Sequence, residues 1–249
     1  MEIEKKVIVI TGASRGLGRA LALRLSHLGA TLILVARHES ELTALKRRIE
    51  KQAGKSPLVV ACDITDEQGV VDLAEKVAGA HGRVDVLVNN AGVGIFKPSC
   101  ATGNDEMRAQ FEVNVFGAFY CIRALLPLLR QSGEGYILNV GSLLSEIVLA
   151  NTGVYSASKR ALSALSDGLA EELERDGIKV GVFLPGPMNT GFHDHGEPGA
   201  IQTPRVLILN PDTAALKIQK MIQKRERKRY SSRTILWLLV VKRFVSSPP

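Results

Sequence analysis

Tyr155 and Lys159 stand four residues apart at the start of Tyr155–Asp176, a segment whose Ala161, Leu162, Leu165, Leu169 and Leu173 recur at helical spacing. Four residues is just over one helical turn, so phenol and ammonium share a face. A fixed positive charge there favours phenolate, and it is expected to draw the phenol down from its ordinary pKa of about 10. Such a tyrosine exchanges protons with an alcohol or a carbonyl. Ser142 lies upstream, directly after the apolar run Tyr136–Val140, where its hydroxyl can steady a substrate oxygen. Asn114 sits in Phe111-Glu112-Val113-Asn114-Val115, an amide among apolar neighbours that calls for a role.

A second chemistry is written near the N-terminus. Thr11-Gly12-Ala13-Ser14-Arg15-Gly16-Leu17-Gly18 follows the run Val7–Ile10 and opens a helical pattern. Glycines let the backbone turn and approach a pyrophosphate, while the free N–H groups of the helix start attract the anion. A dinucleotide is expected. After the second run, Thr31–Ala36, stands Arg37, where a carboxylate would bind the 2′-hydroxyl of NAD. A guanidinium holds a 2′-phosphate instead, and Arg15 can reach the same group from the other side, so the expected coenzyme is NADP(H).

These residues need a scaffold, and the pattern between them supplies one. Six short runs (7–10, 31–36, 58–62, 84–89, 136–140 and 179–184) are apolar at successive positions, as strands covered on both faces read. Helical patterns over 17–28, 41–53, 66–81, about 105–130 and 155–176 alternate with them. The expectation is one α/β domain over 1–249: a Rossmann-like, doubly wound parallel sheet of six to seven strands with helices on both faces. Thr65 and Gln68 suggest a capping box, and Gly29, Gly82 and Gly177 suggest helix stops. The irregular stretch 186–210, beyond the sixth run, is read as a lid over the carboxyl ends of the strands.

Composition narrows the classes further. The 249 residues are 45% apolar and 23% charged, ordinary for a globular chain. The net charge of +7 is local: ten Lys/Arg against Glu226 fall between Lys217 and Arg243, leaving the remainder slightly negative. The aromatics do not interleave with that charge, so no nucleic-acid partner is expected. Cys62, Cys100 and Cys121 form no close pairs, and His193 with His195 lacks a third ligand at useful spacing, so neither disulfides nor a metal are expected. The N-terminus shows no export signal, which points to the cytoplasm.

The T-G-x-x-x-G-x-G spacing resembles the short-chain dehydrogenase/reductase family in its single-domain form, and Asn89-Asn90-Ala91-Gly92 and Pro185-Gly186-Pro187-Met188-Asn189-Thr190 resemble its N-N-A-G and P-G-x-x-x-T motifs. The family places Asn, Ser, Tyr and Lys in the order found here. The resemblance implies hydride transfer between a nicotinamide and a carbonyl carbon, with Asn114, Ser142, Tyr155 and Lys159 catalytic. Asn114 would organise a water that relays protons to Lys159. It further implies coenzyme contacts from Thr11, Gly12, Ser14, Arg15, Gly16, Leu17, Gly18 and Arg37. Asp63, with Ile64 beside it, would meet the adenine. Asn90, Ala91 and Gly92 pass the adenosine ribose, Tyr155 and Lys159 face the nicotinamide end with Pro185 and Gly186, and Thr190 holds the carboxamide.

Beyond Lys224 the chain departs from the family, ending in a basic run and then Ile235–Val241. Seven apolar residues cannot cross a bilayer, which takes about twenty. The segment 226–249 is read as a basic, apolar extension that packs on the domain or on a partner subunit; peripheral membrane contact is the second reading. The function expected is an NADP(H)-dependent oxidoreductase for a small-molecule carbonyl or secondary alcohol, by analogy a lipophilic one, acting as a homodimer or larger homo-oligomer. The alternatives are a 3-oxoacyl-thioester reductase and a non-catalytic NADP-sensing regulator.

Overall fold

The computed structural model describes residues 1–188 and 208–232. Its strands are β1 (Val7–Thr11), β2 (Thr31–Ala36), β3 (Leu58–Ala61), β4 (Val86–Asn89), β5 (Tyr136–Val140), β6 (Lys179–Leu184) and β7 (Lys228–Tyr230). All pair in parallel, in the order β3-β2-β1-β4-β5-β6-β7. The helices are α1 (Gly16–His27), α2 (Glu39–Ala53), α3 (Glu67–His81), α4 (Asn104–Phe111), α5 (Ala118–Arg130), α6 (Gly153–Glu172) and α7 (Pro211–Lys224). The chain winds outward from β1 to β3, then returns to β4 on the other side of β1. That reversal opens a crevice at the carboxyl ends of β1 and β4, where a ligand of a doubly wound sheet sits.

Alternate strand residues serve opposite faces. Ile8, Ile10, Leu32 and Leu34 pack with α1, α2 and α7, whereas Val7, Val9, Ile33 and Val35 pack with α3, α5 and α6. With both faces covered, every strand position is best apolar, which is why the runs carry no alternation.

The long helical stretch is not uniform. Between α4 and α5, Glu112–Gly117 forms a π-helical turn around Asn114. The whole stretch, Asn104–Arg130, is among the described residues the one helical run long and apolar enough to cross a membrane. Its Cys121, Ile122, Leu125 and Leu129 are nonetheless buried in the core beside the sheet.

Two local expectations are corrected. Thr65 does not cap α3; Asp66 does, its side chain accepting from the Gln68 amide at 3.2 Å, because Thr65 is held by Asp63 one step earlier. The basic run after α7, expected to pack as an extension without a strand of its own, contains the seventh strand. An edge strand keeps one side in solvent, so charges are tolerated there and hide the strand from a reading of hydropathy. The charges are also matched: Lys228 pairs with Glu146 at 2.7 Å, Arg227 with Glu171 at 2.7 Å, and Arg229 with Glu226. Tyr136 pins the approach to β7 by donating its buried hydroxyl to the Glu226 carbonyl at 2.6 Å.

The ends of the stretch 186–210 meet in a parallel bridge between Met188 and Leu209, and Asn210 caps α7 by accepting from the Asp212 amide. Residues 189–207, with Thr190, His193 and His195, and residues 233–249, with Ile235–Val241, lie outside the described residues.

Candidate active site

The glycine loop is built for a close neighbour. Gly12 and Gly16 have φ of +63° and +53°, in the left-handed region that favours glycine. A Cβ on Gly18 would stand 2.2 Å from the Gly12 carbonyl, so only glycine lets α1 start this close to the turn. Arg15 at the N-cap is extended and supplies no side-chain cap to α1, which leaves the first-turn amides of Gly16, Leu17 and Gly18 without a capping side chain. The loop is braced from β4. Thr11 Oγ1 accepts from the amides of Asn90 at 3.0 Å and Ala91 at 3.1 Å, and Asn90 Nδ2 donates to the carbonyls of Thr11 and Gly12. Asn89, in the same N-N-A-G run, donates across the sheet to Asn139 Oδ1 at 2.9 Å.

Arg15 and Arg37 are both exposed, and neither enters an ion pair among the described residues. Asp63 differs from expectation. Its Oδ1 accepts from both the amide and the hydroxyl of Thr65, at 3.0 and 2.9 Å, so an adenine contact is left to its other oxygen. The neighbouring Ile64 is buried and packs where a Cβ on Gly117 would fall.

Asn114, Ser142, Tyr155 and Lys159 are buried together at the carboxyl edge of β4 and β5. The π turn aims Asn114 inward: Oδ1 accepts from the Val93 amide, and Nδ2 donates to the Val93 carbonyl and to Ser158 Oγ, all at 2.9–3.0 Å. Ser142 begins a short 3-10 turn as its cap and hydrogen-bonds the Tyr155 phenol. Phe96 meets the phenol ring edge-on, centroids 5.0 Å apart. Lys159 Nζ donates to the Val140 carbonyl at 2.9 Å, and Gly92 lies beside it, where a Cβ would come within 3.2 Å of Nζ and 3.0 Å of Asn114 Oδ1.

The electrostatic expectation for this pair is reversed in the chain by itself. Burial pushes the Tyr155 phenol up to about 12, with the Ser142 hydrogen bond pulling the other way. Burial likewise brings Lys159 down from 10.5 to about 8. Desolvation opposes both charged forms, and for the phenol it outweighs the Ser142 hydrogen bond. Near neutral pH the phenol is therefore a proton donor.

Several supporting residues escaped the sequence. Ser158 links Asn114 to the Tyr155 carbonyl at 2.8 Å; its place just before Lys159 was the available signal. Ser145 is buried and donates to the Ser142 carbonyl at 2.6 Å. Arg160 donates to the carbonyls of Ser145 and Glu146, tying the Ser142 turn to α6. The Asn114–Ser158 and Arg160 contacts join segments brought together only by the fold, so spacing does not show them.

Residues 6–198 match the family model for short chain dehydrogenases. The chain belongs to that family. It is thus an oxidoreductase served by a nicotinamide coenzyme. Among short chain dehydrogenase relatives, a 3-ketodihydrosphingosine reductase of Bacteroides thetaiotaomicron is 35% identical over 78% of this chain and 68% of its own. An alcohol dehydrogenase of the archaeon Thermococcus sibiricus, solved with 5-hydroxy-NADP, superposes with a TM-score of 0.82 at 30% identity, covering 91% of this chain and 95% of that one. A family member from Burkholderia phymatum, solved with NAD, reaches 0.86 at 26% identity, covering 100% and 98%. The uncapped start of α1 and the glycine cradle fit the pyrophosphate of either coenzyme.

Proposed function

We propose that this short chain dehydrogenase is a single-domain, NADP(H)-dependent enzyme that interconverts a carbonyl and a secondary alcohol, most effectively on an apolar substrate. The observation that carries the reading is the buried Ser142–Tyr155 hydrogen bond, set one helical turn from Lys159. A phenol held protonated and aimed through a second hydroxyl is equipped to protonate a carbonyl oxygen.

The coenzyme supplies hydride at C4 of its nicotinamide. Gly12, Gly16 and Gly18 admit its pyrophosphate, and the exposed Arg15 and Arg37 receive a 2′-phosphate, which supports NADP(H) over NAD. Ser142 hydrogen-bonds the substrate oxygen, Tyr155 gives it a proton, and Lys159 stabilises the phenolate left behind. Asn114 holds the π turn against Val93 beside Gly92 and Lys159, where it would organise a water that relays protons to Lys159. The roles of Asp63, Pro185, Gly186 and Thr190 toward the coenzyme rest on the family resemblance.

Two features support an apolar substrate. The segment from Ser142 to Tyr155 carries Leu144, Val148 and Leu149 outside the core, with Val148 41% exposed. The Bacteroides relative is named for a sphingoid ketone. Met107 and Phe116, each 45% exposed around α4 and the π turn, offer an apolar surface that a second copy would cover.

An NADPH-oxidation screen over steroid, long-chain, quinone, sugar and acyl-thioester carbonyls, with NADH as control, tests the reading. Activity on apolar ketones is expected with NADPH. Tyr155→Phe should lower turnover by several orders of magnitude, about 10³ or more, with NADPH affinity retained. Full turnover in that variant refutes the mechanism.

A further inference from the structure

We infer that Ser231, at the end of the edge strand, is a positioning residue for the reaction: it sets the Pro185–Gly186 loop and, through that loop, the Ser142 turn. Ser231 is fully buried although it follows a run of charges. Its amide donates to the Leu184 carbonyl at 2.9 Å, continuing the β6–β7 ladder by one residue. Its carbonyl accepts from Lys217 Nζ of α7. Its hydroxyl accepts from the Gly186 amide at 2.7 Å. Three independent contacts thus fix the residue, and the hydroxyl is what reaches into the loop.

The loop is held from its other side by the catalytic turn. The amide of Leu143, the residue after Ser142, donates to the Pro185 carbonyl at 2.9 Å. Gly141, just before Ser142, donates to the Phe183 carbonyl at 2.8 Å. Ser231, Gly186, Pro185, Leu143 and Ser142 therefore form one chain of contacts from the edge strand to the hydroxyl that bonds Tyr155. Neither Pro185 nor Gly186 can fix itself: proline lacks an amide donor, and glycine restrains its own backbone least. Without the Ser231 hydroxyl, the Gly186 amide loses its protein acceptor and the loop is free to turn toward water.

This inference rests on the coenzyme and mechanism proposed above, and its consequence is confined to the nicotinamide end of the site. The adenine end depends on α1, β2 and the loop after β3, and among the described residues none of the three Ser231 hydrogen bonds reaches them.

The test compares Ser231→Ala with Ser231→Thr in the full chain. Binding is measured for whichever of NADPH and NADH the unaltered enzyme uses, and for the matching adenine-side fragment, 2′,5′-ADP or 5′-ADP. Ser231→Ala is expected to weaken dinucleotide binding and lower kcat by about tenfold each, the scale of one lost hydrogen bond. Fragment affinity should stay within about twofold, since its contacts are untouched. Ser231→Thr, which keeps the hydroxyl, should recover most of both losses. Equal weakening of fragment and dinucleotide, or an unchanged kcat in folded Ser231→Ala, overturns the inference.

Hydrogen exchange at the Gly186 amide of the unaltered protein decides the contact even if Ser231→Ala does not fold. Protection without coenzyme is expected, and exchange at the rate of a free loop overturns it. If the unaltered chain binds neither dinucleotide, the coenzyme reading fails and this inference fails with it. A Ser231→Ala variant that matches a coenzyme-binding parent refutes the inference alone.

Discussion

Replacing Lys159 with Met should make the protein more stable at neutral pH while removing its turnover. Lys159 is 3% exposed and has no carboxylate within ion-pair distance among the described residues; its contact is the Val140 carbonyl. Its pKa lies at about 8 in the fold against 10.5 unfolded. A base with a depressed folded pKa is easier to bury neutral, so its contribution to stability is fully present above 10.5 and is lost as pH falls through about 8. At pH 7 the buried charge costs about 3 kcal/mol relative to the neutral amine, and at pH 9.5 about 1 kcal/mol. Methionine is never charged; it forfeits only the Val140 hydrogen bond, about 1 kcal/mol at every pH. Lys159→Met should therefore exceed the parent by about 2 kcal/mol at pH 7 and be nearly level with it at pH 9.5. Urea denaturation followed by far-UV circular dichroism at both pH values measures the gap, with equal m values as the check that both unfold alike. A gap that stays constant with pH would mean that the ammonium is not desolvated, and the electrostatic account of the site would fall.

Three further outcomes are expected. Arg37→Asp should weaken NADPH binding by about 10- to 100-fold, the scale of a charge-assisted contact, and leave NADH binding unchanged or improved; coenzyme titration by fluorescence checks it, and equal losses would contradict the 2′-phosphate assignment. Gly18→Ala places a methyl 2.2 Å from the Gly12 carbonyl, so dinucleotide binding should disappear and the melting temperature fall; a variant with parental affinity would show that the cradle is not needed. Only Cys100 is exposed, while burial pushes the Cys62 and Cys121 thiols up to about 11 and about 12. A chromogenic disulfide should titrate one thiol in the native protein at pH 8 and three in urea, and two fast native thiols would contradict the packing around α5.

Much of the fold was legible because a parallel sheet covered on both faces demands apolar residues at successive positions, and six of seven strands obey. The seventh, Lys228–Tyr230, does not, since an edge strand needs only one buried flank and its cations find Glu146 and Glu226. The candidate site was legible for a different reason: Tyr155 and Lys159 are one turn apart on a helix, so local geometry alone places them together. Asn114 was noticed as a misplaced amide, but nothing in Phe111–Val115 announces a π turn. That turn is fixed from outside by Val93, Ser158 and the close approach of Ile64 to Gly117. Asp63 was read as free because the cap was assigned to Thr65, one residue early; with Asp66 as the cap, Thr65 donates to Asp63 Oδ1 instead.

The revised pKa values for Tyr155 and Lys159 strengthen the proposed chemistry. A cation that already held the phenol as phenolate would stabilise the ground state as much as the product of proton transfer, and stabilisation shared by both lowers no barrier. In this site the ground state pairs a neutral phenol with an ammonium that burial makes uncomfortable. Once Tyr155 gives up its proton, its phenolate stands one helical turn from the Lys159 ammonium with both residues buried, and opposite charges attract most strongly in dry surroundings. The desolvation that destabilises Lys159 before transfer is thus offset only during transfer. It follows that alkaline pH should slow reduction as Lys159 loses its proton near pH 8, well before Tyr155 itself titrates at about 12. A reduction rate that holds flat to pH 10, measured at saturating substrate, would show that the ammonium plays no part in the step.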